Sequence, residues 1–86
     1  ASAAAREKRR PHVDAIRRLE KAIDEHQQSL AAIEARLAEP ALYEDDAGGE
    51  LQSLLREQGE LRQKLTALED DWLRRQEALE SLDESA

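Results

Sequence analysis

The sequence predicts an all-α fold: an antiparallel two-helix coiled-coil hairpin with a structured tip loop. Three observations carry that prediction. Two runs of apolar residues keep a 3-4 spacing, one on each side of a break that holds one of the two prolines, two of the three glycines and the single tyrosine. The apolar stripe on each run is narrow and flanked mostly by charge. One partner helix covers such a stripe, whereas a four-helix bundle needs a wider apolar face on each helix. Composition agrees: the 40% hydrophobic fraction is mostly Ala and Leu, with one Trp, no Phe and no Met, against 38% charged residues. Too few bulky side chains are present to fill a globular core, but the balance suits a coiled coil.

Residues 1–10 show no apolar periodicity and carry a basic run, Arg6-Glu7-Lys8-Arg9-Arg10. They are expected to form a flexible basic linker ahead of a hairpin over residues 11–83. Pro11 suits a first helical position, where its missing amide proton costs nothing. The first helix is expected over about residues 11–38, roughly 40 Å long. Its seam reads Ile16, Leu19, Ile23, His26, Leu30, Ile33 and Leu37, with His26 the one polar member.

The tip is placed at residues 39–49. Pro40 lacks an amide proton and pushes Glu39 out of the α region, so the first helix stops there. Gly48 and Gly49 lower helix propensity again. Leu42 and Tyr43 are expected to fold onto the end of the coiled coil near Leu37, Leu51 or Leu55. The second helix is expected over about residues 47–82, capped by Asp46, with Glu44 and Asp45 near the positive end of its dipole. Its seam reads Leu51, Leu54, Gln58, Leu61, Leu65, Leu68, Trp72, Arg75, Leu79 and Leu82. Gly59 lies off this seam and weakens the helix by about 1 kcal/mol relative to Ala. After Leu82, the tail Asp83-Glu84-Ser85-Ala86 is expected to fray. Folding back at the tip places Leu37 near Leu51 and Leu54, His26 near Leu61 and Leu65, and Ile16 near Trp72.

Little in the chain points to catalysis. His12 and His26 are fourteen positions apart on one helix, about 21 Å along its axis, too far to share a metal. His26 is expected to be partly buried and hydrogen-bonded. Glu44, Asp45 and Asp46 lack the alternating oxygen ligands of an EF-hand. Ser29, Ser53 and Ser81 have no neighbouring base to activate them, and no Gly-rich phosphate loop occurs. Without cysteine, neither a disulfide nor a thiolate metal site can form. No apolar run reaches the roughly 20 residues of a membrane span, and no signal peptide is visible. The expectation is a chain with no catalytic site, no metal and no cofactor of its own. Its opening, Ala-Ser-Ala-Ala-Ala without Met, suggests a piece of a larger cytoplasmic protein, and the two narrow seams closing on each other within one hairpin predict a monomer.

Charge is more informative. The chain carries −7 overall, yet residues 6–21 hold seven basic residues (Arg6, Lys8, Arg9, Arg10, Arg17, Arg18 and Lys21) against three acids, a local +4 that leaves −11 for the remainder. The hairpin brings Arg74 and Arg75 beside this segment, giving a rod with a basic base and an acidic tip. An ordinary salt-bridged helix surface is one account. The sharper one is that these nine cations meet nucleic-acid phosphate, where clustered Lys and Arg gain affinity by releasing counterions. No aromatic residues interleave with them, so base stacking is not expected there.

Arg17-Arg18-Leu19-Glu20-Lys21, then Leu37-Ala38-Glu39-Pro40-Ala41-Leu42-Tyr43, then Glu50-Leu51 and Trp72-Leu73 together resemble the C-terminal coiled-coil domain of bacterial ABC-F ATPases, the Uup and YheS groups foremost. The likeness runs from about Lys8 to Leu82. It is most specific in the acidic-Pro-Ala-Leu-Tyr turn and the later Trp. Gly48-Gly49 departs from it, since such domains often carry Lys or another helix former there. The resemblance implies a cytoplasmic parent with two tandem ATP-binding cassettes and no membrane domain, with many members acting on the ribosome. ATP and Mg would belong to those cassettes. In Uup-like members the C-terminal hairpin binds DNA and supports the ATPase. It thus implies DNA or ribosomal RNA as partner, with contact to the parent's own cassettes as a further possibility. Two other readings stand beside it: a structural spacer that docks on protein, and a tRNA-contacting helical arm of an enzyme such as an aminoacyl-tRNA synthetase.

Overall fold

The computed structural model describes residues 2–44 and 48–85. It holds three helices: α1 (Ala3–Leu37), a single turn α2 (Ala41–Glu44) and α3 (Glu50–Ser85). α1 and α3 pack along their length, and α2 rests on α3. The result is a rod of 63 × 16 × 14 Å. Side-chain partners fix the antiparallel sense: Arg9 meets Asp83 at one end and Arg36 meets Glu50 at the other. Between them, Glu20 meets Trp72 and Glu34 meets Arg62.

Residues 3–10 are helical and not a flexible linker. α1 starts at Ala3, with the Ser2 hydroxyl accepting from the Ala5 amide at 3.1 Å. A serine N-cap followed by three alanines is a strong helix start. Pro11 therefore lies inside the helix rather than at its first position, and the carbonyl of Glu7 is deprived of its usual amide partner. Packing sustains the helix across this gap. Ala5, Arg9 and His12 are half-buried and extend the 3-4 seam upstream of Ile16.

The coiled coil buries little completely, as two helices must. Ala15, Ile16 and Leu65 are its buried side chains, and the other seam positions are half-covered. Arg75 is the exception, being exposed although it keeps the seam spacing. His26 is half-buried, with Nδ1 2.7 Å from the Ala22 carbonyl, as its place in the seam requires.

The tip is more ordered than a loop. α1 ends at Leu37, and the amides of Ala38 and Glu39 fold back onto carbonyls of its last turn. Pro40 then leads into α2, where Leu42 is only 1% exposed. Tyr43 departs from expectation. It is 58% exposed, and its hydroxyl instead donates to the Leu37 carbonyl at 2.6 Å, serving one of the orphan acceptors of the helix end. Leu55 is likewise half-exposed at 50%, so Leu42 alone plugs the end of the coil.

Gly48 and Gly49 sit at φ 88° and 74°, a left-handed region that side-chain-bearing residues avoid. They delay α3 to Glu50, later than the expected start at residue 47, and Glu50 occupies its first turn. Glu44 closes α2 rather than opening α3. The expected cap Asp46 and its neighbour Asp45 lie outside the described residues. At the far end α3 continues to Ser85 instead of fraying after Leu82, because Asp83 is tied to Arg9.

Candidate nucleic-acid interface

The nine predicted cations run from the base of the rod to its middle, where Lys21 stands near the midpoint of α1, and they do not form one patch. The helical start of the chain creates a feature that a linker would not have. Arg6, Arg10, Arg17 and Lys21 are spaced by 4, 7 and 4 residues. At about 100° per residue they share one face of α1, turned away from the seam and about 22 Å long. All four are exposed, and none has an ion-pair partner among the described residues. Lys8 and Arg18 are also exposed without such a partner, on other sides of the helix.

The remaining three are engaged. Arg9 is half-buried, its Nε donating to Asp83 Oδ1 at 2.8 Å and its Nη2 to Oδ2 at 3.5 Å. Arg74 Nη2 donates to Asp71 Oδ1 at 3.2 Å. Arg75 Nη1 lies 3.2 Å from Nδ1 of His12. Arg9 is thus a structural clasp, and the other eight are the surface available to a partner.

Where α1 and α3 meet, the structure opens a groove of about 750 Å³. His12 and Arg18 from α1 and Arg74 and Arg75 from α3 border it, with Asp71 the one acid. Small side chains, Ala15, Ala22 and Ala78, lie between these polar groups. The sequence singles out His12 only as a possible metal ligand, and its place among the arginines goes unseen there. The signal is nevertheless present: His12 stands four residues before Ile16 and belongs to the same seam. Among the described residues no cluster of His, Asp or Glu could hold a metal ion. No helix among them is long and apolar enough to cross a membrane.

The arrangement offers phosphate an extended row of free charges on one helix and a concave arginine-lined groove across two. Guanidinium groups suit both, since their planar donor forks match phosphate oxygens. No curated protein and no solved structure matches the chain. The family model described as "ABC transporter C-terminal domain" does match, over residues 12–77, well over half of the sequence and spanning most of both long helices and the tip between them. The chain belongs to the ABC transporter C-terminal domain family.

Proposed function

We propose that this chain is the C-terminal coiled-coil domain of an ABC-F-type ATPase with tandem cassettes, and that its basic end binds nucleic-acid backbone, DNA or ribosomal RNA, without strong sequence preference. One observation supports this most. Seven exposed cations with no carboxylate partner among the described residues lie between the base and the middle of a rod whose net charge is −7. Backbone binding by such a row is electrostatic and reads no bases. The acidic tip is repelled by the same phosphates, which orients the rod with its base toward the partner.

The chain has no catalytic role in this reading and works in the cytoplasm as a monomeric module of its parent. It lacks a Gly-rich phosphate loop, so ATP and Mg would be held by the cassettes and not here.

Charge reversal tests the proposal. Replacing Arg10, Arg17, Arg18 and Lys21 by Glu should abolish binding to duplex DNA and to ribosomes while helicity is retained. Binding to both that survives the four reversals would leave the rod as a protein-docking spacer.

A further inference from the structure

We propose that the groove between α1 and α3 at His12, Arg18, Arg74 and Arg75 is a discrete site for one phosphate group, distinct from the diffuse row on the outer face of α1. The inference rests on the nucleic-acid reading of the basic end and narrows it to one place across both helices. Four observations carry it. The groove is an open, shallow concavity of about 750 Å³, in a slender rod that mostly presents convex helix surfaces. Its cations come from opposite helices, so a bound anion is held from two sides, as one helix face cannot do. Three alanines lie between the cations, with Leu19 the one larger apolar side chain, and the alanines let a phosphate and its sugar approach the helix backbones. Finally, the donors have capacity to spare. Arg18 has no ion-pair partner among the described residues, and Arg75 meets a histidine ring nitrogen instead of a carboxylate.

The bond between Arg75 and His12 adds a further donor. An arginine N–H donates, so within this bond Nδ1 of His12 accepts and the ring proton sits on Nε2. That Nε2–H has no protein partner among the described residues, and His12 borders the groove. Arg75 is meanwhile held in place from one Nη, leaving its other donors for a ligand. The bond of Asp71 to Arg74 fixes that guanidinium similarly. Asp71 is the single opposing charge, and three arginines outweigh it.

The test uses the chain itself with inorganic phosphate, then a short DNA duplex, followed by NMR of the His12 ring and the arginine Nε–H groups. Phosphate should shift the signals of His12, Arg18 and Arg75 saturably, while those of Arg10 and Arg17 stay in place. Arg18→Gln with Arg75→Gln should weaken phosphate binding about tenfold or more, since a single charge-assisted hydrogen bond already accounts for most of a decade. Arg10→Gln with Arg17→Gln should leave it unchanged. Both positions of the groove pair are exposed, and circular dichroism verifies that each variant keeps its helicity. Shifts spread evenly over all cations, or unchanged phosphate binding in the groove variant, would overturn the site. Duplex DNA that displaces phosphate from the groove supports a nucleic-acid strand as its source. DNA that binds without disturbing the groove signals overturns the groove while the backbone-binding proposal stands. Saturable phosphate binding without any DNA binding upholds the groove as a site for a small phosphate ester, and removes the nucleic-acid reading.

Discussion

Arg36 and Glu50 face each other across the turn, Nε to Oε1 at 2.6 Å and Nη2 to Oε2 at 2.9 Å. A second carboxylate, Glu39, meets the same guanidinium through Nη1. The hydrogen bonds from Arg36 hold the Glu50 carboxyl below its ordinary value, and the two carboxylates raise Arg36 in turn. A lowered carboxylate pKa stabilises the fold above the ordinary carboxylate range, and this contribution disappears as the pH falls through the folded value. Glu50→Gln should therefore melt below the wild type at pH 7, with the gap closing in melts below about pH 4. Because the pair is solvent-exposed, high salt should shrink the gap as well.

Leu42 should be the most sensitive tip residue. Being fully buried, its replacement by Ala should cost about 2–4 kcal/mol, read from urea or thermal unfolding. Tyr43→Phe should cost less, about 0.5–1.5 kcal/mol, because it removes one hydrogen bond and little buried surface. A larger effect of Tyr43→Phe than of Leu42→Ala would contradict the packing described.

The hairpin should be a monomer by sedimentation at micromolar concentration. Cysteines placed at positions 9 and 83 should be joined within one chain by a short bifunctional maleimide, since the native side chains there reach each other as an ion pair. Dimers joined only between chains would mean that the helices pair with a second copy instead.

Salt dependence distinguishes the individual cations. Removing one cation that touches a phosphate should flatten the log-affinity against log-salt plot for duplex DNA by about 0.9. Arg17→Gln or Lys21→Gln should show that change, whereas Arg9→Gln should lower stability and leave the slope alone. A slope that responds equally to Arg9 and Arg17 would place Arg9 against the DNA.

Much of this architecture is legible in the residues, for definite physical reasons. From Ile16 to Leu37 and from Leu51 to Leu82 the seam is marked by bulky aliphatic side chains, and their spacing identifies both helices and their pairing. Upstream of Ile16 the same seam is occupied by Ala5, Arg9 and His12, which carry no bulky apolar signal, so the start of α1 reads as linker. Pro11 strengthens that impression, yet packing against α3 outweighs its missing hydrogen bond. The ring of Tyr43 suggests burial, while its hydroxyl finds the helix-end carbonyl. Sequence expects the nine cations at the base of the rod; in the structure they spread along α1 as far as its middle. Their division into a row, a groove and a clasp depends on the true start of α1 and on the partners of Arg9, Arg74 and Arg75.

The separation of partners along the chain has a consequence for the order in which the rod assembles. Arg36 and Glu50 are 14 positions apart, Glu20 and Trp72 are 52, and Arg9 and Asp83 are 74. Closing a short loop costs less entropy than closing a long one, so pairing is cheapest beside the tip and proceeds outward from it. The basic base then forms last and opens first, and the helical bond missing at Pro11 loosens it further. Amide exchange should accordingly be slowest near Leu54 and Leu65 and fastest in the turns around Arg6 and Leu82. A ligand bridging α1 and α3 at the groove would close the zipper at its loose end, and protection of those outer turns would report its arrival.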